Sequence, residues 1–347
     1  ATQLSAISFI SAPAFVGLKL GGGMKWLSFE FAVPLAMIFI MIVIIPPLFR
    51  SGVFSIYEFV ERRFSSSTRL VLSIVFQLSR ALATGVMVYT IAIILQAVLD
   101  IDFVYTILII SVITIIYSWQ GGMKAVVWGD AIQMIILFVG LIICMYFGWS
   151  LLQEHGGLAE GFNPERLKVI DFNFGIGEGE EYGFWPMLIG GFFLYVSYYG
   201  CDQTQAQRLL SAKSEKTIRQ LLLANGLLRF PVVLIYCTIG LIIGGLVTLA
   251  PDFSQEIAGT TQKYFPEDFA KNGMKADLMI PVFIMKYLPH GLIGILMVGI
   301  LSAAMSSLSS TVNSLSAVTV EDFFNRGKTK LSDKKYMMIS KGSVVFW

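Results

Sequence analysis

Apolar residues in this chain come in continuous runs about twenty long, and polar residues gather between the runs instead of alternating with them. The runs lie near 1–18, 27–49, 70–98, 103–120, 125–149, 185–207, 218–248 and 291–320, and another begins near Tyr336. At about 1.5 Å of rise per residue, a helix of that length crosses the roughly 30 Å hydrocarbon core of a bilayer. The pattern predicts a helix for each run. Residues 277–288 are shorter and amphipathic and read as a helix lying on the membrane surface. Connecting loops are short except for 150–184 and 249–290. The chain opens inside one apolar run at Ala1 and stops inside another at Trp347, so the expectation is a piece of a longer protein, incomplete at both ends.

Composition agrees with the pattern. Of 347 residues, 56% are hydrophobic and 14% charged, whereas a soluble domain carries about 25% charged residues. Mean hydropathy is +0.73. These values exclude a soluble enzyme and a disordered tail, and predict a multi-pass protein of the cell membrane (the inner membrane, for a bacterial source). A net charge of +2 gives no reason to expect a nucleic-acid partner. Cys144, Cys201 and Cys237 are far apart with no CxxC spacing, and His155 and His290 fall at segment ends, which argues against a disulfide framework or a zinc site.

Basic residues set the orientation. Loops 50–69, 118–124, 208–219 and 321–341 carry most of the Lys and Arg, including Arg62, Arg63, Arg69, Arg208, Lys213, Lys334 and Lys335. Cytoplasmic loops collect such residues, so this set faces the cytoplasm and the first run travels outward.

Polar residues inside the runs carry the chemistry. An ionisable group at bilayer depth costs several kcal/mol by most estimates, so it usually faces a cavity or a partner. Glu30, Arg80, Asp130 and Arg229 are of this kind, with Asp202 near the inner end of the sixth run. Glu30 and Asp202 lie near enough to the interfaces for hydration to be an equal explanation. The run at 291–320 holds Ser302, Ser306, Ser307, Ser309, Ser310 and Asn313 at spacings of three and four, which stack on one helix face. Such a face can serve tight helix packing. Its neutral oxygen ligands also suit a small alkali cation, strengthened by a carboxylate from elsewhere, for which Asp130 is the candidate. The first run, with Thr2, Gln3, Ser5, Ser8, Ser11 and Pro13, reads as an interrupted helix whose free carbonyls and N–H groups can meet a cation or an anionic solute.

Four stretches resemble the sodium:solute symporter family, which includes the sodium–glucose cotransporters and the sodium–sialic acid transporters. They are Tyr117-Ser118-Trp119-Gln120-Gly121-Gly122 leading to Asp130-Ala131-Ile132-Gln133, the loop Tyr57–Phe64, Asp202-Gln203 with Gln207-Arg208-Leu209, and the serine-rich run followed by Glu321-Asp322. They occur in family order across nearly the whole chain. The resemblance implies an all-α polytopic protein with the leucine-transporter-like inverted-repeat fold: residues 1–150 as the first five-helix repeat, 151–184 as an extracellular loop, and 185–347 as most of the second repeat. The Gly121-Gly122 pair is expected to form a turn between two spans.

By position, the family's principal sodium site falls on Ala1, Leu4, Ala303, Ser306 and Ser307. A second sodium, found in some members, would use Asp130, Ser309 and Ser310 and share Ser306. Solute-binding positions fall on Gln3, Ser5, Ser8, Tyr195, Tyr198 and Arg229, with Arg80 as the partner of a substrate carboxylate. Ile7 and Ser8 stand where galactose-binding members carry a Glu–Gln pair, and Tyr195 and Arg229 replace an Asn and a Lys, departures that turn the expectation from galactose toward an acidic, sialic-acid-like sugar. The implied function is alternating-access symport of sodium with a small polar solute, without catalysis or a cofactor beyond the coupling sodium ions. A neutral sugar or polyol and a monocarboxylate are the alternative solutes. A transporter-like sensor or a channel is the alternative class, and no repeated filter segment supports the channel.

Overall fold

The computed structural model describes residues 6–53, 55–161, 163–177, 182–212, 214–325 and 331–347, and every regular element among them is helical. In chain order the principal helices are α1 (Ala6–Gly17), α2 (Trp26–Arg50), α3 (Ile56–Arg63), α4 (Ser66–Leu99), α5 (Phe103–Gln120) and α6 (Val127–Glu154). They continue as α7 (Phe184–Gly200), α8 (Gln203–Leu210), α9 (Glu215–Leu249), α10 (Pro251–Tyr264), α11 (Pro266–Asn272), α12 (Met279–Tyr287), α13 (His290–Phe324) and α14 (Asp333–Phe346). Six of these, α2, α4, α5, α6, α9 and α13, are long and apolar enough to cross a membrane.

Local chemistry fixes five of the helix starts. Ser55, Ser65, Asp102, Asp202 and Ser214 each accept a hydrogen bond from a backbone N–H in the first turn of α3, α4, α5, α8 and α9, at 2.8–3.2 Å. Within α2 a π-turn at Ile40–Ile44 comes just before Pro46 and Pro47, neither of which can donate to the helix ladder. A second π-turn, Val320–Phe324, ends α13 and carries Asp322.

The core gathers around α9, of whose most apolar stretch 67% is buried, against 24% for the peripheral α4. Phe9, Ile10 and Val16 of α1 pack into it with Leu137 and Leu141 of α6, Ile243 of α9, Phe283 of α12 and Leu296 of α13. The crossing of α1 and α9 is close because Gly240 and Gly244 lack side chains. A Cβ on Gly240 would lie 2.6 Å from the Pro13 carbonyl oxygen, and one on Gly244 would lie 2.6 Å from Gly17 Cα. The GxxxG spacing in an apolar run is the signal for this approach.

Several sequence expectations change. Helical hydrogen bonding runs unbroken from Phe103 to Glu154, through Gly121-Gly122. Yet the Tyr117 hydroxyl lies against Gly129, whereas twelve residues of straight helix would separate the two Cα atoms by about 18 Å. The axis therefore bends sharply between α5 and α6, and the expected turn is a bend. The span expected at 185–207 stops at Gly200; Cys201-Asp202 is not helical, and Asp202 caps the separate α8. The surface helix expected at 277–288 is instead buried: Met279 to Ile284 are all inside the core, because both faces of α12 are apolar. Glu30 is likewise not at a hydrated interface but fully enclosed.

Candidate functional site

Among the described residues, three of the buried polar groups hold the residues that the sequence singled out, and each ties helices that are distant in sequence. In the first, Glu30 of α2 accepts a forked pair of hydrogen bonds from Arg229 of α9, with Nη2 to Oε1 at 3.1 Å. Arg229 also donates to the Tyr195 hydroxyl of α7 at 2.7 Å and stacks its guanidinium 4.6 Å from that ring. A buried carboxylate is tolerated here because a full opposite charge and a hydroxyl satisfy it. Arg229 Nη1 and the Tyr236 hydroxyl are enclosed without a hydrogen-bond partner among the described residues.

This group borders a cavity of about 660 Å³ whose wall includes Ser8 and Ala12 of α1, Trp26 and Glu30 of α2, Phe138 of α6, and Asn225, Arg229 and Tyr236 of α9. Most of its remaining wall is aliphatic. A volume of that size accommodates a small organic molecule, and apolar walls with a few convergent polar groups are the usual form of such sites.

The second group sits at the break between α7 and α8. Arg80 of α4 donates to Asp202, lies 5.7 Å from the Tyr198 ring, and Tyr198 accepts from Gln205 at 3.0 Å. The anion facing Arg80 is thus a protein carboxylate, and Arg80 does not line the cavity at Arg229. The sequence expectations grouped Arg80 and Tyr198 with Tyr195 and Arg229 around one solute; the fold divides them into two clusters.

The third group joins α5, α6, α8 and α13. Arg208 Nη2 lies 2.9 Å from Asp130 Oδ2 and donates to Ser310 Oγ at 2.5 Å. Ser118 donates to Ser309 at 2.7 Å. Sequence reading singled out Asp130, Ser309 and Ser310 but not Arg208 or Ser118. The loop position of Arg208 and the turn position of Ser118 hid their contact with α13, although both lie in the family-like stretches.

Of the residues carried over to a principal sodium site, Ala303 and Ser306 are buried on α13 and Ser307 is half-buried beside them. No hydrogen bond joins the Ser306 or Ser307 hydroxyl to another described side chain, in contrast to Ser309 and Ser310. Ala1 and Leu4, and the solute candidates Gln3 and Ser5, lie outside the described residues.

The sequence matches the profile of the sodium:solute symporter family over residues 1–347. The chain belongs to the sodium:solute symporter family. Sodium-coupled monocarboxylate transporter 2 of Bos taurus is 29% identical over 99% of this chain and 53% of its own length. The sodium/iodide cotransporter of Homo sapiens is 29% identical over 98% of the chain and 51% of its own length. The chain therefore spans about half the length of these curated relatives. Among solved structures, the substrate-bound outward-open state of a Na+-coupled sialic acid symporter superposes with a TM-score of 0.84 at 24% identity, covering 99% of this chain and 69% of that one. The symporter shares that fold, an all-α, multi-pass membrane architecture of the leucine-transporter-like type expected from the sequence. These relatives are transporters, not enzymes.

Proposed function

We propose that the chain forms the core of a sodium-coupled symporter whose solute is a small organic anion, foremost a monocarboxylate, bound in the cavity beside Arg229. Family membership supports sodium as the coupling ion and a small solute as cargo. The observation that carries the solute class is the cavity wall: it is apolar apart from Ser8, Glu30, Asn225, Arg229 and Tyr236, and Arg229 Nη1 has no hydrogen-bond partner among the described residues. A carboxylate with a short apolar body matches both features, since a guanidinium favours carboxylate oxygens and the walls favour carbon. Two relatives carry small anions in their names, monocarboxylate and iodide. An acidic sugar is less favoured, because the cavity wall offers few groups to bond a ring of hydroxyls and because Arg80 already faces Asp202.

Sodium in this proposal binds at Ser306 and Ser307 with Ala1, Leu4 and Ala303, between the first helix and α13. Ion binding there would stabilise one arrangement of α1 against α13 and preform the solute cavity, which is the coupling. The two repeats, 1–150 and 185–347 joined by 151–184, would rock against each other. A tenfold sodium gradient supplies about 1.4 kcal/mol per ion, and 100 mV adds about 2.3 kcal/mol per charge moved. Uptake into proteoliposomes by the full-length protein tests the reading, with a short monocarboxylate, iodide, an acidic sugar and a neutral hexose compared in sodium and in choline. Monocarboxylate uptake that needs sodium is the expected result; uptake equal in choline, or preference for the hexose, refutes it.

A further inference from the structure

The segment Phe172-Asn173-Phe174-Gly175-Ile176-Gly177 has no charged side chain, although Asp171 precedes it and Glu178 follows it. Its apolar side chains are not folded inward: Phe172 is 68% exposed, Phe174 69% and Ile176 91%. The polar backbone around them is met locally. The Asp171 carbonyl accepts from Asn173 N at 2.8 Å and from Phe184 N at 2.7 Å, and Asn173 Oδ1 accepts from Gly175 N at 3.2 Å. Gly175 supplies the left-handed backbone, φ +72°, that lets the chain turn between Phe174 and Ile176. A loop that satisfies part of its own backbone and turns carbon outward suits a surface poorer in water than the aqueous phase.

The two phenyl rings meet one indole. Their centroids lie 6.4 and 6.3 Å from that of Trp185, and the Phe174 ring is within 14° of parallel to it. Trp185 opens a row on α7 that continues at spacings of four with Ile189 and Phe193, so the three share one helix face. Ile189 and Phe193 are both more than half exposed. In a multi-pass protein such a face meets lipid chains, and aromatic rings gather where the face reaches the headgroups. The loop therefore adds one aromatic layer to the exposed apolar face of α7. Its other contacts are with protein: Arg166 donates to the carbonyls of Val16, Leu18 and Lys19, and the Tyr182 ring lies 4.8 Å from that of Phe15.

We propose that Phe172, Phe174 and Ile176, with Trp185, form an interfacial anchor whose occupant is lipid: the patch lies in the boundary between headgroups and acyl chains at this end of the bundle. Two observations carry the choice of lipid. The patch is continuous with the exposed apolar face of α7, and it offers no charge to a polar partner. The anchor also has a mechanical consequence. Arg166 of the same loop holds the C-terminal end of α1, and α1 lines the cavity with Ser8 and Ala12. The bilayer surface thus fixes the position of one end of a cavity-lining helix. This inference is independent of which solute or ion is carried.

Collisions of a nitroxide label with oxygen, which partitions into lipid, and with a nickel chelate, which stays in water, test the anchor in the full-length protein reconstituted into phospholipid bilayers. The label is attached to Ile176→Cys and, in a second protein, to Phe172→Cys. Both are made in a Cys201→Ser background, since Cys144 and Cys237 are buried. Phe193→Cys on the exposed face of α7 is the lipid reference, and Lys271→Cys on α11, an exposed charged position, is the water reference. Labels at 172 and 176 are expected to favour oxygen over the nickel chelate, as at 193 and opposite to 271. Nickel access equal to that at 271 overturns the anchor, because the patch then stands in water. A label that neither reagent reaches also overturns it, because protein then covers the patch, whether a second copy or another segment. Two label positions keep the test decisive should one of the two proteins fail to fold.

Discussion

Arg69 Nε donates to Asp322 Oδ1 at 2.8 Å, joining the first turn of α4 to the π-turn that ends α13. Asp322 is completely enclosed, Ser73 also donates to it, and the arginine further contacts Glu61 of α3 at 2.5 Å and the Glu321 carbonyl at 3.2 Å. Three helices at the end that the basic loops assign to the cytoplasm thus share one guanidinium. Removing it strands a buried carboxylate, so Arg69→Ala should lower stability by about 3–5 kcal/mol. The exposed pair Arg62–Glu58 provides the comparison, where Arg62→Ala should cost at most about 1 kcal/mol. Thermal unfolding of the two purified variants would show the contrast; equal midpoints would mean that the Asp322 network does not hold the fold.

Ser307→Ala deletes one hydroxyl of the proposed principal sodium position without harming the helix, because alanine is the better helix former. Expression and thermal midpoint should be preserved while the sodium needed for half-maximal uptake rises by about tenfold, the loss of roughly 1.4 kcal/mol of binding. A sodium titration in proteoliposomes is the check, and an unshifted curve removes Ser307 from the site.

Arg229→Lys keeps a positive charge beside Glu30 and removes the planar fork. The Glu30 pair survives as a point contact, but a solute carboxylate loses its directed donor. KM for a monocarboxylate should rise by about tenfold or more, consistent with about 1.5–3 kcal/mol for a charge-assisted hydrogen bond, with sodium dependence little altered. If KM is unchanged while the protein loses stability, Arg229 is purely a structural partner of Glu30.

The loop before α7 folds onto the C-terminal end of α1. Arg166 donates to the carbonyls of Val16, Leu18 and Lys19 at 2.9–3.2 Å, and Lys25 bonds Asp171 at 2.6 Å. The hydrogen bond from Lys25 holds the Asp171 carboxyl below the usual carboxylate range. A depressed folded value means the contact is fully present above the ordinary pKa of about 3.9 and is lost as pH falls through the folded value. Proteolysis within residues 163–177 should therefore accelerate only below about pH 4. Lys25→Gln should make cleavage fast at neutral pH; a variant cleaved no faster than wild type would show that the remaining contacts, those of Arg166 and the Ser28 hydroxyl bond to the Val169 carbonyl, secure the loop without Lys25.

Much of the architecture was legible in the chain. The apolar runs at 27–49, 70–98, 218–248 and 291–320 returned as α2, α4, α9 and α13, because a helix is the one way such a segment satisfies its own backbone groups in lipid. The family-like stretches led to the correct fold for the same reason: their order along the chain is retained. Intramembrane charges were legible as exceptions but not as pairs. Glu30 meets Arg229 across 199 residues, and Arg80 meets Asp202 across 122, separations at which helical periodicity carries no information.

Tertiary structure alone decided which polar residue answers which. Hydropathy ranks α12 as a surface helix until one sees that α1, α9 and α10 enclose it. Serines 306, 307, 309 and 310 look alike on one helix, yet the packing of α5 and α8 gives Ser309 and Ser310 partners from other helices, and among the described residues no side chain bonds the hydroxyls of Ser306 and Ser307. The physical reason is range. Span length, orientation and capping are set by interactions within about one turn of helix or by the bilayer, which a linear sequence records. The choice of counter-charge for a buried ion depends on distances of about 3 Å between residues brought together only when the whole bundle packs.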